Sequence, residues 1–184
     1  MTKNAYPYRV RVIGGTARGR ALKAKIPPTV RPTTDYAREA IFSMLESRGG
    51  LYDLVVADLY CGTGAMGIEA LSRGAAKVYF VDSDPECLAA AKFNLEPLNL
   101  EGEAVYIRST LPVWQPPSDL DLILADPPYG PFDLPGVLKD VTATRAVIEN
   151  DRHMDAPEGW VVTKTKRYGT TLVTLLETQE GDVE

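Results

Sequence analysis

The chain has 184 residues, 45% of them hydrophobic and 24% charged, which suits one domain with a full core and excludes a disordered or fibrous chain. No apolar run is long enough to span a bilayer, no secretory pattern opens the chain, and two cysteines with one histidine make neither a disulfide scaffold nor a metal-ligand cluster. A reducing cytoplasm, a monomer and metal-free chemistry are expected.

The formal net charge of −5 hides an asymmetry. Residues 1–34 hold Lys3, Arg9, Arg11, Arg18, Arg20, Lys23, Lys25 and Arg31 and no acid, a segment of +8. The remainder carries 20 − 8 = 12 basic residues against all 25 acids, or −13. A basic arm on an acidic body suits contact with a polyanion, and Arg11, Arg18, Arg20, Lys23 and Arg31 are the candidates for a nucleic-acid backbone. The division expected is a 1–34 arm and a single compact 35–184 domain.

In chain order, Arg9-Val10-Arg11-Val12-Ile13 alternates and meets Gly14-Gly15, so it reads as a strand entering a turn, with residues 18–26 returning around Gly19. Pro27-Pro28 and Pro32 bar regular structure. A helix starts near Thr33, Thr34 or Asp35, all able to cap it. Ala37, Ile41, Met44 and Leu45 share one face, and Gly49-Gly50 ends the helix. Residues 55–59 form an apolar strand, Ile68 and Leu71 mark a helix closed by Gly74, and residues 78–81 form the next strand. Asp84-Pro85 opens a helix that runs to about Leu95, with Asp as cap and Pro in the first turn. Residues 105–107, 122–125 and 146–148 are further strands, and residues 160–163 and 171–176 flank Tyr168-Gly169 as a closing antiparallel hairpin. Such βαβ alternation implies an α/β fold, a mostly parallel sheet covered on both faces.

Chemistry gathers at strand ends. Asp58-Leu59-Tyr60-Cys61-Gly62-Thr63-Gly64 puts an acid and a glycine loop behind a strand, where a ligand can approach the backbone closely. The third glycine of a dinucleotide fingerprint is missing from its place, and there is no phosphate-binding G-x-x-x-x-G-K-[ST] loop. Gly67 can serve helix packing. Asp58 repels phosphate and attracts an ammonium. Asp82, 82 − 58 = 24 residues on, can accept ribose hydroxyls, while Asp84 is better used as a helix cap. Cys61 has no basic partner and reads as a small buried residue. Trp114 and Trp160 read as packing residues, although Trp114 lies close enough to the third strand to border an adenine pocket. His153 has no assigned role.

Asp126-Pro127-Pro128-Tyr129 is more specific. The amino group of a nucleobase is a poor nucleophile because its lone pair is delocalised into the ring. Two acceptors that hold its hydrogens out of the plane favour a reactive nitrogen, and the Asp126 carboxylate with the Pro127 carbonyl can supply them. Pro127 and Pro128 stiffen the corner before reaction. Tyr129 can stack on the base, worth roughly 1–3 kcal/mol. Glycine loop, acids and corner together point to methyl transfer from S-adenosylmethionine to an exocyclic nitrogen.

With these residues in view, the chain resembles the RsmD family, bacterial 16S ribosomal RNA guanine-N2 methyltransferases. The resemblance runs through Arg11-Val12-Ile13-Gly14-Gly15 with Arg18-Gly19-Arg20, through Arg31-Pro32-Thr33-Thr34-Asp35 with Arg38-Glu39-Ala40-Ile41-Phe42, and through Asp58 to Gly64 with Gly67 to Gly74. Phe80-Val81-Asp82-Ser83-Asp84, Asn94-Leu95, Asp126 to Tyr129 and Lys166-Arg167-Tyr168-Gly169 continue it. It implies a Rossmann-like class I S-adenosylmethionine-dependent methyltransferase sheet with a small N-terminal β-hairpin extension. It further implies a cofactor site at Asp58, Gly62, Gly64 and Asp82, to which Tyr60 and Thr110 are added as candidates, a guanine site at Asp126 to Tyr129, and Arg31-Pro32-Thr33 at the pocket's border. The implied partner is 16S ribosomal RNA or a small-subunit assembly particle.

Three departures qualify the resemblance. Ser109-Thr110 stand where the family's third strand is followed by an acid. The stretch from Tyr129 to Ala146 leaves room for one brief helix, and the body is unusually acidic for an RNA enzyme. The rival readings are adenine-N6 methylation of DNA or RNA, which uses the same corner, and a non-catalytic RNA-binding or assembly protein.

Overall fold

A computed structural model of the chain describes residues 10–24, 35–128 and 130–179. A seven-stranded sheet holds β1 (Val55–Leu59), β2 (Lys77–Asp82), β3 (Glu103–Arg108), β4 (Leu122–Ala125), β5 (Arg145–Asn150), β6 (Trp160–Tyr168) and β7 (Thr171–Thr178). Their order is β3-β2-β1-β4-β5-β7-β6. The first five are parallel, and β7 runs against both β5 and β6. Consequently the carboxyl ends of β1, β2, β4, β5 and β6 share one edge. Strand order reverses beside β1, the place where open α/β sheets form a ligand crevice.

Alternate residues of each strand enter two separate cores. Val56, Phe80, Leu124, Val147 and Val173 face one, beneath α1 (Asp35–Glu46), α2 (Ala65–Ser72) and α3 (Pro85–Leu95). Leu59, Val81, Ile123, Ile148 and Leu176 face the other, with Trp114, Leu120, Leu138 and Trp160. The four-residue α4 (Leu134–Val137) is the one helix on this second face among the described residues, which is otherwise covered by loops. Gly130, Pro131, Pro135 and Gly136 leave no run long enough for more. No helix among the described residues is long and apolar enough to cross a membrane.

Capping follows the sequence closely. The Asp84 side chain accepts from the Glu86 amide at 2.8 Å, with Pro85 opening α3. α1 begins at Asp35 and buries Ala37, Ile41, Phe42 and Leu45, but also Arg38. The described part of the arm is a hairpin closed by Val12 N–H to Arg20 O, Leu22 N–H to Val10 O and Gly19 N–H to Val12 O. It makes only an isolated bridge, Arg11 with Ala21, rather than the two regular strands expected. The body binds further backbone groups of the arm. The Ile13 and Gly14 amides donate to the buried Glu69 carboxylate at 2.7 and 2.6 Å, and Arg38 donates to the Arg11 carbonyl. Val10, Val12, Ala17 and Leu22 are buried in the first core.

Candidate functional site

Three adjacent strands end in one row. The register Leu59 with Val81 and Leu59 with Ala125 sets Asp82, Tyr60 and Asp126 side by side, Asp82 as the last residue of β2 and the others just beyond β1 and β4. The Asp126 amide continues the ladder to Leu59 O at 3.4 Å, and the Cys61 amide reaches Val81 O at 3.1 Å. Tyr60 turns the chain out of β1 at φ 58, a left-handed conformation that costs a non-glycine residue roughly 1–2 kcal/mol. Its ring meets Phe132 edge-on, centroids 6.1 Å apart. Burial, then Asp133 and Asp82, raises its phenol above the ordinary value.

The loop after Tyr60 is held by Asp82. One carboxylate oxygen accepts from the Gly62 amide at 3.0 Å, the other from the Asp84 amide at 2.9 Å. Gly64 sits at φ 76, and a Cβ there would lie 2.7 Å from Ala91 Cβ, so only glycine lets the loop close onto α3. Gly67 serves packing, as its place in the sequence suggested. A Cβ on it would come within 2.4 Å of Phe80 Cε1, and its amide donates to Asp58 at 2.8 Å.

Asp58 lies one layer below the row, only 2% exposed. Burial pushes its carboxyl well above the ordinary value, the Gly67 amide pulls it back, and Asp126 and Asp82 add repulsion. Asp82 and Asp126 at the strand ends favour a cation in the crevice and disfavour phosphate. The same surroundings raise the Cys61 thiol through burial, then Asp58 and Asp82, so it is no thiolate nucleophile at neutral pH.

Asp58 gives a pH test. Its carboxyl holds a proton more tightly in the folded chain, so its contribution to stability is fully present below about pH 4 and lost as pH rises through the raised value. Asp58→Asn keeps an oxygen for the Gly67 amide and removes the buried charge. Near pH 7.5 the ligand-free variant should melt higher, by about 2–4 °C for each kcal/mol relieved, and the gain should vanish toward pH 4. Thermal melts across that range check it; no gain at pH 7.5 would mean the folded protein already compensates an ionised Asp58.

The other candidates fall as follows. Pro127 is buried and Pro128 exposed behind Asp126, while Tyr129 and Arg31 lie outside the described residues. Thr110 is exposed beyond β3, and the neighbouring Ser109 amide donates to Asp82 O at 3.1 Å. Trp114 is buried, its indole N–H on Val137 O at 3.4 Å. His153 is exposed. Arg11, Arg18, Arg20 and Lys23 are exposed, but the Arg20 guanidinium donates to Pro97 O at 2.8 Å. The turn carrying Arg18 binds Ser72 O through the Thr16 amide, at the end of α2 remote from the glycine loop, about 10 Å along the helix.

Two buried polar residues escaped the sequence reading. Glu69 anchors the arm and also pairs with Arg73 at 2.9 Å; its signal was an acid inside the apolar stretch Ile68 to Leu71. Asn94 accepts from the Ala24 amide at 2.8 Å and donates to Thr63 O at 3.0 Å, tying arm to glycine loop. Among the described residues no group of three or more His, Cys, Asp or Glu side chains could hold a metal ion.

Parallel strands in the order 3-2-1-4-5-7-6, a reversed seventh strand and a glycine loop after the first define the class I methyltransferase fold. The model of the family described as conserved hypothetical protein 95 matches residues 10–177, and the chain belongs to that family, the RsmD family. It is 34% identical to YlbH of Bacillus subtilis, provisionally named an rRNA methyltransferase, over 90% of this chain and 97% of that one. It is 30% identical to ribosomal RNA small subunit methyltransferase D of Haemophilus influenzae, over 87% and 89%. The solved structure of yhhF of Escherichia coli, provisionally named a methyltransferase, superposes with a TM-score of 0.76 at 29% identity, covering 94% of this chain and 99% of that one.

Proposed function

We propose that the protein methylates the N2 amino group of a guanine in 16S ribosomal RNA, with S-adenosylmethionine as methyl donor. The observation that carries this reading is the acid-proline-proline corner at the end of β4, set by strand register beside the glycine loop of β1. The glycine loop and the converging acids suit a cationic nucleoside. Gly64 has no room for a side chain, and Asp82 and Asp126 stand as acids at the ends of β2 and β4. Such a cofactor supplies a methyl carbon made electrophilic by a positively charged sulfur.

The chain's own groups do the rest. Asp126 and the Pro127 carbonyl accept the two amine hydrogens, directing the nitrogen lone pair out of the ring plane. The carboxylate also gives the departing proton an acceptor. The two prolines fix this geometry before reaction, so little reorganisation is left for the barrier. Tyr129 is assigned to stack on the base. The base must leave its stack to enter the corner. The relatives' names, which refer to ribosomal RNA, support an RNA substrate, and the exposed arm cations Arg11, Arg18 and Lys23 suit its backbone.

The test is to map methylated nucleotides in ribosomal RNA from cells with and without the chain. A single guanine-N2 methyl in 16S RNA should disappear with it and return when purified protein and S-adenosylmethionine are added. Loss of an adenine-N6 methyl instead would move the chemistry to the other base, and an unchanged methylation map would overturn the reading.

A further inference from the structure

We propose that Tyr36, Tyr168 and Lys166 form a second RNA-contact site, a stacking platform for a nucleotide flanking the one that enters the corner. The proposal rests on the RNA reading above and adds where, outside the arm and the corner, the strand is held.

Position comes from the sheet. β6 runs parallel to β4, so Tyr168 and Asp126 lie at the same edge. Ala125 is level with Ile148, Ile148 with Thr174 and Thr174 with Thr165. Tyr168 therefore stands three residues, about 10 Å, beyond the level of Ala125, and three strand spacings, about 14 Å, to its side. The β6–β7 hairpin rises as a wall on this wing of the crevice.

Chemistry comes from what that wall carries. Tyr36, the second residue of α1, is 69% exposed. Its ring meets Tyr168 edge-on, centroids 5.5 Å apart and planes at 76°. Tyr168 is half-buried against the first core, so it braces a ring that otherwise faces water. Lys166 shares Tyr168's face of β6 and holds its ammonium 5.3 Å from the Tyr168 ring centre. A held aromatic ring with an open face and an adjacent cation is what unstacked bases and their phosphates bind.

Charge separates this wing from the rest of the body. Residues 160–176 contain Lys164, Lys166 and Arg167 and no acid, within a body of 12 basic and 25 acidic residues. β6 is an edge strand, and edge strands use lysines to discourage pairing with other chains. That role accounts for the charges. It does not account for a tyrosine from another element standing exposed against them.

The experiment is filter binding of small-subunit ribosomal RNA at several salt concentrations, beside methyl-transfer assays and calorimetry with S-adenosylhomocysteine. Tyr36→Ala should weaken RNA binding roughly 5- to 100-fold, and Tyr36→Phe should keep it, because the ring face and not the hydroxyl makes the contact. Lys166→Ala should lower the log–log salt slope by about 0.7–0.9. In both, S-adenosylhomocysteine affinity and kcat at saturating RNA should match the unaltered protein while KM for RNA rises. Tyr36 and Lys166 are exposed, so far-UV circular dichroism should show the fold intact. Unchanged RNA affinity and slope in the variants of an active enzyme would overturn the platform alone. An unaltered protein that neither binds nor methylates the RNA would overturn the platform and the function together.

Discussion

Asp126→Ala should lower kcat for methyl transfer by about 10²–10³-fold while S-adenosylhomocysteine binds within about twofold of the unaltered protein. The carboxylate is assigned to the amine as it reacts, and loss of one such transition-state partner typically has that size. The structure adds a second expectation. Asp126 repels the buried Asp58, so removing it relieves a cost in the ligand-free fold. The variant should melt at the same temperature or higher, the usual trade between activity and stability in a site crowded with like charges. Asp126→Asn, which keeps one acceptor oxygen, should fall between. Single-turnover rates, calorimetry and melting curves check all three; an Ala variant retaining most of its rate would reduce Asp126 to a turn residue.

Much of the fold was legible because the local signals agreed. Residues 55–59 and 122–125 read as strands and are β1 and β4 without adjustment. They are buried on both faces, so they show as apolar runs, interrupted in β1 by Asp58 alone. Asp84-Pro85 names a helix start by stereochemistry alone, and the structure shows the cap bond. The misses lie where tertiary contacts override local pattern. Residues 160–163 were read as a short strand, yet β6 runs on to Tyr168. Lys164, Lys166 and Arg167 hid it, since an edge strand may carry charge wherever it faces water. The arm's alternation predicts two strands, but the segment forms one isolated bridge, and Glu69 and Arg38 bind further backbone groups of it.

The site was legible as a set of residue types at strand ends, not as a network. Spacing placed Asp58, Asp82 and Asp126 at or near the carboxyl ends of three strands, and the sheet order made those strands neighbours. Nothing in the sequence showed that Asp58 would be sealed beneath the loop and tied to Gly67, because burial depends on packing from α2. The arm's charge was plain in the sequence, whereas its direction was not. The bonds from Thr16 and Ala17 to Ser72 carry the Arg18 turn toward the far end of α2. That displacement leaves the cations of β6 at the edge shared with Asp126.

Asp82→Ala should weaken S-adenosylmethionine and S-adenosylhomocysteine binding by roughly 1.5–3 kcal/mol, the usual loss when a carboxylate's charge-assisted bonds to a ligand are removed. The same carboxylate already accepts from the Gly62 and Asp84 amides, so two effects are superposed and can be separated. The ligand-free variant should melt lower by about 2–4 °C per kcal/mol of lost loop bonding, because a half-buried loop can replace those bonds only partly with water. The stabilisation gained on adding ligand should shrink as well, since it follows the ratio of free ligand to Kd. Asp82→Asn keeps one oxygen for an amide and loses the charge. It should recover much of the ligand-free melting temperature and less of the ligand-induced rise, if the charge serves the ribose hydroxyls. Equal recovery of both would assign Asp82 to holding the loop and leave the ribose to another acceptor. Calorimetry at neutral pH with one ligand per chain as the unaltered reference, read beside melts with and without S-adenosylhomocysteine, distinguishes the two roles.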